Sequence, residues 1–193
     1  MALEMSTTRR VMNIVYCRSY QKIMCLASRF LRFREPMIYH GPNATLKIAD
    51  ILKRHDVKNV FIATDHYLST TALFHKILDT LRDNAIYCTL YTKTLPNPSI
   101  EQIEEGCTAY TQNRSSAILA YGGGSPMDLA KAVGARVVRP HTSIARLKGT
   151  LKVLRPLPLL IAVPTTVGTG SEATLAAVVS NPETKEKFAI IDP

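Results

Sequence analysis

In "AYGGGSPMDLAK" (Ala120–Lys131) three glycines separate an apolar run from an amphipathic one. Upstream, "SAILAY" has the length and composition of a buried strand. Downstream, "PMDLAKAVGARVV" repeats its apolar residues at three and four, as a helix does. Glycine tolerates positive φ and lets the backbone approach a ligand closely. A helix N-terminus adds unpaired N–H groups and the positive end of the helix dipole. Gly122-Gly123-Gly124-Ser125 therefore reads as a cradle for a phosphate or pyrophosphate. The spacing assigns Ser125 as N-cap, Pro126 as the first helical residue and Asp128 as the acid three positions after the cap. GxGxxG counted from Gly122 fails at Met127, and Lys131 follows Ala130, so the stretch is not a P-loop.

The same alternation extends to both sides. "NVFIATD" (59–65), "IYCTLYT" (86–92) and "LPLLIAVPTT" (157–166) read as strands. "LKIADILKRHD" (46–56), "TTALFHKILDTLRDN" (70–84) and "SIEQIEEGCTAYTQNR" (99–114) read as helices, the last with Ser99 and Gln102 at capping-box spacing. "PMIYHGPNAT" (36–45) reads as a further short strand and a turn. The rhythm breaks at the end, where "TLAAVVS" and "EKFAIID" flank "NPETK" as a hairpin. The expected class is α/β: a Rossmann-like, open, mostly parallel sheet with helices on both faces, a C-terminal β-hairpin and an N-terminal helical arm. The organisation reads as a basic helical arm over 1–35 and an α/β domain over 36–193.

The net charge of +9 divides unevenly. Residues 1–35 carry seven Lys/Arg against two Glu, and residues 136–158 carry six basic residues and no acid, so the remainder is close to neutral. No RNP-like, zinc-finger or helix-turn-helix pattern accompanies the charge, which argues against nucleic-acid binding. The arm, "NIVYCRSYQKIMCLASRFLRF" (13–33), places Tyr16, Tyr20, Ile23, Ala27, Phe30 and Leu31 at helical spacing. It suits docking on its own protein or a second subunit, or an anionic membrane surface. "MALEMSTTRR" (1–10) reads as unstructured. No apolar stretch approaches the length of a membrane span, and basic residues interrupt the one that comes closest, 12–33, which also disfavours a signal peptide. Four cysteines without CxxC spacing suit a reducing cytoplasm.

Two further features add chemistry. "VPTTVGTGSE" (163–172) follows the next strand with three threonines, two glycines and a serine, a polar loop able to close over a ribose or nicotinamide. Asp65 ends a strand, where a carboxylate can accept from both ribose hydroxyls and repel a 2′-phosphate. GxSxG fails around both Ser125 and Ser171, which excludes a nucleophile elbow.

With "YGGGSPMDLAKA" and "LPLLIAVPTTVGTGSEAT" about thirty residues apart, the sequence resembles the iron-containing (group III) alcohol dehydrogenases. "LPNPSIEQIEEG" matches that family's PNP turn and helix, and "NPETKEKFAIIDP" matches its hairpin, so the likeness runs over about 37–193. The resemblance implies an NAD(P)-linked alcohol dehydrogenase, converting an alcohol to an aldehyde or ketone, of which this sequence is the cofactor-binding half. It implies Asp65 at the adenosine ribose, Asn97 beside the nucleotide, Gly123, Gly124 and Ser125 on the pyrophosphate, and Asp128 near the nicotinamide ribose. Thr165, Thr166 and Thr169 would line the other side, and Val178 and Lys187 would complete the pocket. Asp65 tilts the cofactor toward NAD over NADP. The family's Fe2+ or Zn2+ ligands, an aspartate and three histidines on a helical domain beyond the hairpin, match none of the five histidines here, so the sequence reads as truncated before that domain and without catalytic or metal residues. A homo-oligomer is expected. The glycerol dehydrogenase/dehydroquinate synthase branch shares the architecture, and a non-catalytic dinucleotide-binding module or remnant is the alternative from another class.

Overall fold

The computed structural model describes residues 7–28 and 35–193. Helix α1 belongs to one unit and Pro36–Asp192 forms another. In the first, α1 spans Thr7–Ser28 and carries basic residues but no acidic one. It reaches into the stretch read as unstructured, because nothing in Thr7–Arg10 breaks a helix. Tyr16 and Tyr20 are exposed and stack one turn apart, with ring centroids 6.5 Å from each other. Phe30 and Leu31 lie outside the described residues. No described helix is long and apolar enough to cross a membrane.

The second unit runs α2 (Ile48–Arg54), β1 (Asn59–Ala63), α3 (Ala72–Asp83), β2 (Tyr87–Tyr91), α4 (Ile100–Gln112), β3 (Ala117–Gly122) and α5 (Gly124–Val138). There follow β4 (Gly149–Thr150), β5 (Leu159–Pro164), β6 (Ala176–Asn181) and β7 (Glu186–Ile191). Strands β2-β1-β3-β5 form one parallel sheet in that order. Strand alternation gives that sheet its two cores. Val60, Ile62, Leu119 and Tyr121 pack with Leu52 of α2 and Phe74, Ile77 and Leu81 of α3. Phe61, Ala63, Ile118 and Ala120 pack with Ile103 and Tyr110 of α4 and Leu129 and Val133 of α5.

Local chemistry sets the helix starts. Thr71 caps α3 by accepting the Phe74 N–H, and Ser99 and Gln102 form the reciprocal capping box at α4. The expected strand at 36–40 does not form. A strand requires a ladder partner, none is present among the described residues, and Met37 and Ile38 are exposed.

The hairpin β6–β7 forms as expected and is extended by β4, parallel to β7. Residues 136–158 are more regular than their composition suggests, because their charges are spent on backbone and acids. Arg136 pairs with Glu104 at 2.8 Å, Arg139 donates to Val153 O at 2.6 Å, and Arg155 donates to Val138 O at 3.2 Å. Lys148 pairs with Glu186. From the end of β7, Asp192 Oδ2 accepts the N–H groups of Val153 and Leu154 at 2.9 and 3.1 Å.

The cysteines differ sharply in setting. Burial pushes the Cys88 thiol up to about 11, against the pull of Arg82, whereas Cys17 is exposed on α1. Since the thiolate is the reactive form, iodoacetamide at pH 8 should label Cys17 well before Cys88. Peptide mapping of a time course checks this, and equal rates at the two positions would contradict the burial.

Candidate functional site: the glycine turn at the sheet's switch point

In the parallel sheet the chain steps from β1 outward to β2, then back across β1 to β3. The loops leaving β1 and β3 thus diverge and open a crevice at the strands' carboxyl ends. Asp65 follows β1, the glycine run follows β3, and Thr165 follows β5.

The glycine turn differs from its expected capping. Gly123, at φ −86° and ψ −156°, continues the extended strand and is itself the N-cap, so α5 begins at Gly124 and Ser125 sits inside the first turn. The Gly123 N-cap has no side chain to cap with, and no side-chain cap is formed. Ser125 Oγ instead accepts the Asn97 N–H at 3.3 Å. The first-turn N–H groups of Gly124 and Ser125 have no intrahelical acceptor, and Pro126 has no N–H. No acidic side chain lies in that first turn. The helix start is thus open and electropositive.

All three glycines leave space that a Cβ would crowd. Gly122 adopts φ +151°, and a Cβ on it would lie 2.6 Å from Pro126 Cγ and 3.2 Å from Leu68 Cδ1. A Cβ on Gly123 would stand 2.9 Å from Thr166 Oγ1, and one on Gly124 would stand 3.2 Å from Ser171 Oγ and 3.8 Å from Thr169 Cβ. The threonine loop therefore folds against the glycine turn, pinned there by the Thr165 N–H to Gly122 O at 3.0 Å.

Of the other candidates, Asn97 adopts φ 56° in the PNP turn, and the adjacent Pro98 O accepts the Ser180 N–H of the hairpin at 2.9 Å. Asn97 and Lys187 line one groove of about 500 Å3 between turn and hairpin. Asp128 is half-buried on α5; burial raises its carboxyl above the usual range, while the Val178 backbone N–H and Lys131 pull it down. Asp65 is joined to the turn only indirectly. Its Oδ1 accepts the Leu68 N–H at 2.8 Å, and Leu68 is the residue that abuts Gly122. The side chains of Thr165, Thr166 and Thr169 are exposed.

Sequence reasoning missed Lys131. Its ammonium donates to Ser171 O, Thr174 O and Ala176 O at 2.5, 2.8 and 3.0 Å. Burial lowers its pKa, opposed by Asp128 and Glu172. Its sequence signals were its place in the YGGGSPMDLAKA motif and its position three residues after Asp128, on the same side of a helix.

All five histidines are exposed. Among the described residues no three or more His, Cys, Asp or Glu side chains converge in a way that could hold a metal ion. The described residues do not fit the metal that the sequence resemblance implies.

A family described as iron-containing alcohol dehydrogenase matches residues 36–193. The NAD-dependent methanol dehydrogenase of Bacillus methanolicus is 32% identical over 160 residues, 83% of this chain and 42% of that protein. An alcohol dehydrogenase from Oenococcus oeni aligns in structure with a TM-score of 0.78 and 34% identity, over 84% of this chain and 43% of that one. Sulfoacetaldehyde reductase from Bifidobacterium kashiwanohense, solved in complex with NAD+, aligns with a TM-score of 0.71 and 27% identity, over 84% and 43% of the two chains. The chain spans about two fifths of the length of these relatives. The parallel sheet, the glycine turn and the match over nearly all of the second unit lead to one assignment: the chain belongs to the iron-containing alcohol dehydrogenase family.

Proposed function

We propose that the Pro36–Asp192 unit binds a nicotinamide dinucleotide, NAD in preference to NADP, as the cofactor-holding part of an oxidoreductase that interconverts an alcohol and its aldehyde or ketone. One observation carries this reading. Three segments distant in sequence meet at the sheet's switch point, where the PNP turn and the threonine loop are each hydrogen-bonded to the glycine turn, around a helix start with open N–H groups. The relatives named above, an NAD-dependent dehydrogenase and an NAD+ complex among them, support the choice of cofactor.

In this reading Gly123, Gly124 and Ser125 present backbone N–H groups to the pyrophosphate, whose charge the helix dipole favours. Asp65 accepts from the adenosine ribose hydroxyls. Asn97, Val178 and Lys187 border the nucleotide from the turn and the hairpin, with Asp128 near the nicotinamide ribose. Thr165, Thr166 and Thr169 close the opposite side. When bound, the nicotinamide accepts or returns the hydride; the chain's residues bind and orient it. Among the described residues no donor set for a metal converges, and the roles above belong to the chain's own groups.

Titration of the full chain with NADH, followed by nicotinamide fluorescence, tests the proposal. Saturable binding with a Kd in roughly the micromolar range is expected. No saturation by millimolar NADH would overturn it.

A further inference from the structure

Beyond the groups that would touch a cofactor, one cation organises the loop that faces them. The four oxygens around the Lys131 ammonium are Ser171 O, Thr174 O, Ala176 O and, at 3.1 Å, Thr174 Oγ1. All belong to the segment 171–176, which carries the threonine loop into β6. Apart from Ala176, the first residue of β6, that segment has neither helix nor strand, and its residues 172–175 are exposed. A segment with so little apolar burial is held by its polar contacts. Three carbonyl oxygens directed at one point repel one another unless a positive charge sits between them. The ammonium supplies that charge from a helix, α5, that packs against β6. At the near end of the segment, the Ser171 hydroxyl lies 3.2 Å from where a Gly124 Cβ would be, so a residue of the clamp abuts the glycine turn.

We infer that Lys131 is a positioning residue, whose ammonium holds the threonine loop closed against the glycine turn before any cofactor arrives and so sets dinucleotide affinity without contacting the dinucleotide. The affinity half of this statement rests on the dinucleotide reading above; the loop half does not. A loop ordered in advance spares the cofactor the entropy of ordering it. The charge is needed at a defined point, and a diffusible alkylammonium can occupy that point once the side chain is shortened.

The test is Lys131→Ala in the full chain, with hydrogen exchange over 165–176 measured without ligand and NADH affinity measured by titration. Exchange protection in that segment should be lost and NADH affinity should fall about tenfold. Propylammonium at tens of millimolar should restore both, and sodium chloride at equal ionic strength should restore neither. Lys131→Met keeps an apolar stem without the charge and should reproduce both losses. Native protection in the Met variant would mean that packing holds the loop, and would overturn the inference. So would an unchanged NADH affinity in a variant whose loop has opened, or a loss that propylammonium leaves untouched. If the unsubstituted chain binds no NADH, the dinucleotide reading fails by itself, and exchange over 165–176 still judges the clamp.

Discussion

Gly123→Val is expected to weaken NADH binding on the order of 100-fold or more while leaving the chain folded, because the loss is one of space and not of backbone conformation. Gly123 sits at φ −86° and ψ −156°, at the edge of the extended region and on the negative-φ side that residues with a Cβ adopt. Its Cβ, however, would project toward the threonine loop, 2.9 Å from Thr166 Oγ1. Thr166 is exposed and can move aside, so the cost to stability should stay near 1 kcal/mol. The branched side chain would then stand between the loop and the N–H groups of Gly124 and Ser125, where the proposed pyrophosphate lies. Each hydrogen bond to a charged group contributes about 1.5–3 kcal/mol. Losing two of them accounts for a hundredfold change. Circular dichroism and NADH titration on the same sample check both halves. Near-native affinity in a folded variant would remove the pyrophosphate from this turn.

Asp65→Ser should raise the ratio of NADP(H) to NAD(H) affinity by about tenfold or more. A carboxylate and a 2′-phosphate about 4 Å apart repel by a few kcal/mol at an effective dielectric near 20. The variant removes that repulsion together with two acceptors for the ribose hydroxyls. Serine is the informative replacement because Asp65 has a second role. Its Oδ1 accepts the Leu68 N–H at 2.8 Å, ordering the 3-10 turn Leu68–Thr70 whose Leu68 abuts Gly122. A serine hydroxyl can accept the same N–H, so turn geometry is kept while the charge is lost. Asp65→Ala would forfeit both and confound them. Parallel titrations with NADH and NADPH read the ratio, and an unaltered ratio would detach Asp65 from the ribose.

Much of the fold was legible along the chain. The strands of the parallel sheet, the helices between them, the capping box at Ser99 and Gln102 and the hairpin all depend on residues close in sequence. Periodicities of 2 and 3.6 and fixed cap spacings report such residues directly. Two local readings failed for non-local reasons. The segment 36–40 has strand-like composition but no ladder partner among the described residues. Ser125 has cap-like spacing, yet the helix starts earlier because Gly123 finishes the strand within the turn.

The candidate site was legible as a set of segments and not as a set of contacts. Both glycine-containing motifs stood out, because bare backbone and clustered hydroxyls are properties of composition. Lys131 did not, since its partners lie forty or more residues away and three of the four are main-chain oxygens, which every residue carries. For the same reason nothing local announced that Ser125 serves the PNP turn, or that Thr165 binds back to Gly122.

By itself, then, the amino-acid sequence determined the alternating α/β elements, the glycine run after β3 and the polar loop after β5, all consequences of side-chain pattern acting over one or two turns. Tertiary structure alone decided the sheet order that opens a crevice between β1 and β3, the capping role of Gly123 and the Lys131 clamp on Ser171, Thr174 and Ala176. Those depend on which hydrogen-bonding groups meet after collapse, and the backbone N–H and C=O groups that do most of the meeting are the same at almost every position.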